Sequence, residues 1–107
     1  MSLPQIKRIY YETGELEEEF FEINGKKEGI YKEYYENGNL RKICNYINGK
    51  IEGKYERYYE NGNIWVIYNY IDDKREGECK AYYENGNISC ICNYDNDKIN
   101  GKLKHYE

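Results

Sequence analysis

The six residues YYENGN occur three times, at 34–39, 58–63 and 82–87, and a near copy, YYETGE, occupies 10–15. Each copy begins 24 residues after the previous one, so the chain divides without an insertion into four units, 10–33, 34–57, 58–81 and 82–105. Such a unit cannot bury its apolar face alone and buries it against its neighbours. The sequence therefore predicts a repeat array rather than a domain around one globular core.

Short segments flank the four units. We expect residues 1–9 to form a lead-in or capping strand. Tyr106 opens a fifth copy of the motif, so residues 106–107 are either the start of a further repeat or, like the first three residues, an addition to the natural chain. The chain is accordingly either an array closed by a capping half-unit or a piece of a longer one.

Two turn signals in each unit predict β-hairpins. The Asn-Gly pair of YYENGN is a strong hairpin signal and predicts a two-residue type I′ loop with positive φ at both residues. The second signal, NGK, DDK or NDK, is followed by a glycine: Gly29, Gly53, Gly77 or Gly101. The predicted fold is all-β, an elongated, twisted antiparallel β-meander of four 24-residue hairpin repeats in a single layer.

Strand alternation predicts which side chains share a face. A two-residue loop at Asn85-Gly86 aligns residues from the two strands on one side of the sheet. The aligned pairs are Tyr83 with Ile88, Ala81 with Cys90, Cys79 with Cys92 and Gly77 with Tyr94. The same count elsewhere aligns Tyr35 with Leu40, Tyr31 with Cys44, Gly29 with Tyr46, Tyr59 with Ile64, Tyr55 with Tyr68 and Gly53 with Tyr70. This side is predicted to be an aromatic face, on which Tyr46, Tyr70 and Tyr94 cover the bare backbone of the facing glycines.

The other side of the sheet is predicted to be mainly charged, yet it carries Tyr58 with Trp65 directly across from it. Two interpretations remain open. The pair could be a cross-strand aromatic contact worth about 0.5–1 kcal/mol. It could equally be an exposed aromatic patch that marks an interface.

The four cysteines, Cys44, Cys79, Cys90 and Cys92, are all predicted on the aromatic face, where cysteine packs as a small hydrophobe. Counting from the turn makes Cys79 and Cys92 a pair without ladder hydrogen bonds, with Cα atoms about 4.5 Å apart. That separation lies at the short end of disulfide geometry, so buried thiols and a Cys79–Cys92 disulfide are both open. The spacing of the thiols does not suit zinc, and no metal site is predicted.

No catalytic site is predicted either. One strand register places His105, the only histidine, across from Cys90, the sole candidate for a Cys-His pair. A terminal-strand histidine is more often solvated. The acidic run at 15–22 alternates its glutamates between both faces, which indicates a solvated, aggregation-resistant edge.

Composition argues against several classes of partner. Sixteen Lys and Arg against 20 Asp and Glu leave a net charge of −4, without the positive field expected of a nucleic-acid or anionic-membrane binder. No apolar run approaches the roughly 18 residues of a membrane-spanning helix, and the N-terminus lacks a secretory signal. We therefore expect a cytoplasmic protein with no cofactor, no small-molecule substrate and no nucleic-acid partner.

The pattern of YYENGN followed by NGK, a glycine and a tyrosine resembles the MORN repeat (membrane occupation and recognition nexus), in particular its bacterial variant. The resemblance covers Tyr10 to His105, with Asp73 and Asp97 departing from the turn glycine. It implies a one-sheet meander that serves as a scaffold or docking surface. Some bacterial variant proteins are labelled antitoxin-like, and the repeat also accompanies lipid kinases. This chain has neither a phosphate-binding loop nor a kinase catalytic loop.

The preferred function is a non-enzymatic scaffold or protein–protein interaction module that binds another protein or a second copy. An antitoxin-like inhibitor of a partner toxin and a membrane-surface module are the alternatives. The candidate binding residues are Tyr35, Tyr59, Tyr83, Tyr46, Tyr70, Tyr94, Trp65 and Tyr58.

Overall fold

The computed structural model describes residues 2–101 and 104–106, and in that part of the chain all regular structure is β. Met1 and Glu107, which belong to the predicted end segments, lie outside the described residues. The strands are β1 (Gln5–Tyr10), β2 (Leu16–Ile23), β3 (Lys26–Lys27), β4 (Gly29–Tyr34), β5 (Leu40–Ile47), β6 (Lys50–Ile51), β7 (Gly53–Tyr58), β8 (Ile64–Ile71), β9 (Lys74–Arg75), β10 (Gly77–Tyr82), β11 (Ile88–Asp95), β12 (Lys98–Ile99) and β13 (Lys104–His105).

All thirteen strands belong to one antiparallel sheet, whose main path follows chain order. The longer strands form four equivalent hairpins, β1–β2, β4–β5, β7–β8 and β10–β11, and the two-residue strands β3, β6, β9 and β12 each pair with the strand before them. The molecule measures 45 × 33 × 14 Å, a thickness that fits one sheet with its side chains. The predicted all-β, single-layer meander is confirmed.

The turn at YYENGN differs from the prediction. At YYENGN the Tyr35 amide donates to the Asn39 carbonyl and the Gly38 amide donates to the Tyr35 carbonyl, both at 2.9 Å, and only Gly38 has positive φ. This is a three-residue loop, a type I turn closed by a left-handed glycine. The two-residue turn lies at the second signal, where Asn48 (φ 52°) and Gly49 (φ 83°) both have positive φ.

The three-residue loop introduces a bulge that shifts the first pair beside it. Arg57 still faces Val66, but Tyr58 faces Ile64 instead of Trp65, which is left over as the extra residue. The same shift pairs Tyr34 with Leu40 and Tyr82 with Ile88. The predicted pairs of Tyr35, Tyr59 and Tyr83 are therefore wrong, and so is the pairing of Tyr58 with Trp65. Beyond the bulge the predicted register is confirmed, including Tyr31 with Cys44, Tyr55 with Tyr68 and Cys79 with Cys92.

The glycine that opens each hairpin is required by its backbone conformation. Gly53 has φ 84° and Gly77 has φ 79°, and a Cβ built on either meets nothing within 4 Å. The tyrosines predicted to cover these glycines do lie opposite them in the register, and the covering itself stays a prediction. Positive φ at this point lets the chain bulge between the short strand β6 and strand β7.

The core is a layer on one face of the sheet. The buried side chains of the described residues form two clusters: Phe20, Tyr31, Cys44 and Tyr55 in the first, and Val66, Cys79 and Cys92 in the second. Tyr46, Tyr68, Tyr70 and Tyr94 pack against them. We call this side the aromatic face.

The acidic run lies within β2, which pairs with strands on both of its sides. The predicted acidic edge is therefore wrong, and the strand at this edge of the sheet is β1.

Candidate functional site

The aromatic face carries a connected series of tyrosine rings around the buried Tyr55, and the other rings of the series are partly exposed. Tyr55 contacts Tyr68 and Tyr70 with ring centroids 5.8 and 5.3 Å apart, and Tyr68 contacts Tyr94 at 5.8 Å. Burial raises the pKa of Tyr46 and of Tyr70 to about 12. Tyr46, Tyr70 and Tyr94 are thus brought to one surface, as the sequence predicted.

Trp65 lies beside this surface and not on the opposite face with Tyr58. As the bulged residue it stacks on Tyr59, with ring centroids 5.4 Å apart and planes 22° from parallel, and it lines a cleft with Tyr55 and Tyr68. It remains 41% exposed. Tyr58 donates instead to Glu56 on the opposite face, and burial raises its pKa to about 12. The structure therefore separates two residues that the sequence had paired.

The second tyrosine of each motif fastens one repeat to the next. The hydroxyl of Tyr35 donates to the carbonyl of Tyr58 at 2.6 Å, and Tyr59 makes the same bond to Tyr82. Tyr11 and Tyr83 bond the carbonyls of Tyr34 and Tyr106 in the same way. The sequence reasoning missed this structural role of Tyr35, Tyr59 and Tyr83. The constant 24-residue spacing of the motif was a signal that each copy bonds the next.

The asparagines of the motif act in the same direction. The side-chain amides of Asn37 and Asn39 both donate to the Glu60 carbonyl, at 3.1 and 2.9 Å, and those of Asn61 and Asn63 donate to the Glu84 carbonyl. On the other side of each unit, a glutamate carboxylate of one repeat accepts from the turn of the next, as Glu52 does from the Asp72 amide at 2.6 Å. These groups stack the turns of successive hairpins.

One line of directly opposed residues crosses the aromatic face from strand to strand. Glu18 lies opposite Glu33, Glu33 in turn lies opposite Lys42, and Lys42 lies opposite Arg57. The line then becomes uncharged, through Val66, Ala81 and Cys90, and ends at His105. We call this line the central row. The row therefore contains two pairs of directly opposed like charges, Glu18 with Glu33 and Lys42 with Arg57. Such pairs are unusual, because like charges directly opposed on a sheet repel.

The acidic pair of the central row has hydrogen-bonding and ionic partners within the protein. The hydroxyl of Tyr31 donates to the carboxylates of Glu18 and Glu33, and Glu33 also pairs with Arg41 at 3.4 Å. Burial and these two carboxylates raise the pKa of Tyr31 above the ordinary value of a phenol. The two carboxylates are therefore held by internal partners.

The basic pair of the central row lies over aromatic rings instead. The ammonium of Lys42 lies 5.0 Å from the centre of the Tyr31 ring and 5.4 Å from that of Tyr55, and the guanidinium of Arg57 lies 5.3 Å from that of Trp65. Neither cation forms an ion pair with a carboxylate among residues 2–101 and 104–106. The Nε of Arg57 is buried and has no hydrogen-bond partner there.

The cysteines are free thiols on the aromatic face. The backbone amide of Asn100 donates to the carbonyl of Asn93, so the backbone N–H and C=O groups of Asn93 face β12. These groups alternate in direction along a strand, so those of the neighbouring Cys92 face β10. Cys79 and Cys92 are therefore a hydrogen-bonded pair, whose Cα atoms are typically about 5.5 Å apart, and the predicted non-hydrogen-bonded geometry is wrong. That distance lies within the usual range of disulfides, so a Cys79–Cys92 bond stays a prediction.

His105 does face Cys90, as one predicted register required, and it is exposed. Burial and the neighbouring Cys92 raise the pKa of the Cys90 thiol, which is the reverse of the shift that activates a cysteine nucleophile. In the described part of the chain, no three His, Cys, Asp or Glu side chains are grouped to hold a metal ion. Nor does that part contain a helix with the length and apolarity needed to cross a membrane.

Two clefts are relevant to binding. The one beside Trp65 has a volume of about 350 Å³ and is lined by Tyr55, Arg57, Val66 and Arg75 among others. A larger cleft, of about 730 Å³, lies between residues 2–5 and the turn at Asn24 and Gly25. The larger one brings together no cation, thiol or aromatic ring. The cleft beside Trp65 is therefore the better candidate site.

Known proteins resemble this chain in two ways. The model of the MORN repeat variant family matches residues 27–48, 51–72 and 75–96, three consecutive copies. No curated protein matches the chain. Among solved structures it is similar to a chain of the "Crystal structure of accessory secretory protein 1,2 and 3 in Streptococcus pneumoniae", at 16% identity and a TM-score of 0.48. That match covers 84% of this chain and 17% of the other, so the chain spans about a sixth of that protein's length. Because the family model matches more than half of its residues, the chain belongs to the MORN repeat variant family.

Proposed function

We propose that the protein is a non-enzymatic interaction module that binds a protein partner on its aromatic face. MORN repeats are generally protein- or membrane-interaction modules. One observation carries the choice of face: in a sheet about 14 Å thick, Trp65 is 41% exposed at a cleft beside the partly exposed rings of Tyr68 and Tyr70. Aromatic residues are enriched in interface cores, and Trp and Tyr among the residues that dominate binding energy.

The alternatives carry less support. An antitoxin-like inhibitor would be one special form of the same protein binding, with a toxin as the partner. Membrane-surface association is opposed by the net charge of −4, since anionic lipids repel such a chain. We place the module in the cytoplasm, where the four free thiols would stay reduced.

A photo-cross-linking experiment in the source cells tests the proposed function. A photoreactive phenylalanine analogue at position 65 reports on the aromatic face, and the same analogue at Ile67 on the opposite face is the matched control. We expect a reproducible cross-linked protein from position 65 and much less of it from position 67. A cross-link to the chain itself would identify a second copy as the partner.

The opposite pattern would contradict the proposal. Equal cross-linking from both positions would remove the preference for the aromatic face. No cross-link from position 65, in a variant whose unfolding midpoint matches the parent, would argue that the face binds no protein under those conditions.

A further inference from the structure

The central row contains an electrostatic imbalance that the fold does not need. Lys42 and Arg57 face each other directly across β5 and β7, so their charges repel in the unbound protein. Glu33 faces Lys42 across β4 and β5, but its carboxylate bonds Tyr31 and Arg41 and forms no ion pair with Lys42. Both cations are therefore held over aromatic rings on the open face without a counter-ion among the described residues.

The surroundings define what such a pair can bind. Arg57 has a buried Nε without a partner, and leaving a buried donor unsatisfied costs about 1–3 kcal/mol. A carboxylate is the group that accepts several such donors together, and guanidinium and carboxylate bind in a fork geometry. The rings of Tyr31, Tyr55 and Trp65 shield the site from water on its flanks, which strengthens a charge-assisted hydrogen bond.

The next part of the central row is uncharged and favours apolar side chains in a ligand. Beyond Arg57 the opposed residues are Val66, Ala81 and Cys90, one from each following strand of the series. Neighbouring strands lie about 4.8 Å apart, so Cys90 is roughly 14 Å from Arg57 along the row. An extended chain covers that distance in about four residues, with alternate side chains pointing to the same surface.

We propose that Lys42 and Arg57 form a carboxylate-binding subsite for an extended segment of a partner protein. In that segment an Asp or Glu is followed, two and four residues later, by apolar side chains that pack on the half-buried Ala81 and Cys90. This inference rests on the proposed function and narrows it to a partner of acidic-then-apolar pattern. The carboxylate offsets the repulsion between the two cations, and the apolar residues cover the uncharged end of the row.

Short capped peptides test the subsite, with Trp65, the only tryptophan, as a fluorescent reporter beside it. The first probe contains Glu-Ser-Leu-Ser-Leu, the second has Gln for Glu, and the third has Ser for both Leu. We expect the first to bind about tenfold or more tightly than the second, the difference expected of a charge-assisted pair. It should also bind more tightly than the third.

Variants identify the cations responsible. Arg57→Gln and Lys42→Gln should each abolish most of the preference for Glu over Gln. Each variant relieves a like-charge contact but loses contacts with aromatic rings, so the urea midpoint of each is measured beside the peptide affinity to verify that the fold is kept. Lys54→Gln is the matched control. Lys54 pairs with Glu56 on the opposite face, so its loss should leave the preference unchanged.

Three results would overturn the inference. Equal binding of the Glu and Gln peptides would remove the subsite while leaving a peptide-binding face, and therefore the proposed function, intact. An equal change of Trp65 fluorescence with inorganic phosphate at the same concentration would indicate a site for small anions and not for a protein segment. Binding of no peptide, together with cross-linking from position 65, would mean that the partner has different chemistry.

Discussion

The hydroxyl of Tyr59 donates to the backbone carbonyl of Tyr82, 23 residues later, at 2.6 Å. The bond joins the end of one hairpin to the end of the next and recurs at the same place in each repeat. Because the ring of Tyr59 also stacks on Trp65, this tyrosine links the repeat joint to the candidate binding surface. Removal of the Tyr59 hydroxyl should therefore weaken the joint between repeats, while the ring still stacks on Trp65.

Tyr59→Phe keeps the ring and removes one hydrogen bond, and we expect it to lower the free energy of unfolding by about 0.5–1.5 kcal/mol. Tyr10→Phe is the control, because Tyr10 is 56% exposed and its hydroxyl donates to none of the described residues. Urea unfolding of the two variants and the parent measures the difference. Equal midpoints for the two variants would mean that the joint does not depend on this bond.

Tyr31→Phe should cost more, about 1.5–3 kcal/mol, because the lost hydroxyl bonds charged groups. Without it, Glu18 and Glu33 face each other across two strands with no donor between them. Glu18→Gln removes one of the two charges, so Tyr31→Phe should cost less in that background. Unfolding of the four proteins in a double-mutant cycle gives the coupling, and a coupling near zero would contradict the network.

Substitutions at Gly53 test whether glycine is required there by its backbone conformation or by the facing Tyr70. Gly53→Ala should cost about 1–2 kcal/mol, since its φ of 84° disfavours any residue with a Cβ, although nothing lies in the way of that Cβ. Gly53→Asn should cost less, because asparagine tolerates this region better. Thermal or urea unfolding ranks the variants. If alanine proved harmless, the positive φ would not be what selects glycine here.

Alkaline pH should destabilise the protein. Burial raises the pKa of Tyr46 and of Tyr70 from 10.0 to about 12 and that of Cys79 from 9.0 to about 12. The unfolded chain therefore loses these protons first, so the stabilisation is complete below pH 9 and declines as pH rises towards 12. Urea midpoints across this range, with phenolate absorbance read in parallel, check the decline. Tyr70→Phe should make it shallower, and an unchanged midpoint up to pH 11 would contradict the shifts.

The state of the four cysteines can be read by mass. We expect four alkyl groups per chain when the purified protein is unfolded and alkylated without reductant, because all four are free thiols. Alkylation after reduction is the control. A gain of two alkyl groups only upon reduction, mapped to Cys79 and Cys92, would instead establish the cross-strand disulfide that their pairing permits.

Strand alternation and the 24-residue period were sufficient to predict much of this molecule. They placed Tyr31 opposite Cys44 and Gly53 opposite Tyr70, and they put the cysteines on the aromatic face. The reason is that side chains alternate along a strand with a period of two, so an apolar pattern determines which residues share a face. The single layer follows too, because each hairpin offers one strongly apolar face.

The tertiary structure alone decided the turns and, with them, the position of Trp65. Asn-Gly is compatible with a two-residue loop and with a three-residue loop closed by a left-handed glycine. Hydrogen bonds to the next repeat, from Asn61 and Asn63 to Glu84 and from Tyr59 to Tyr82, accompany the second geometry. The extra residue of that loop's bulge carries Trp65 to the aromatic face. Hydrogen-bond partners that lie 21 to 23 residues away cannot be predicted from a local sequence pattern, because the identity of a turn residue does not determine which distant group its side chain will bond.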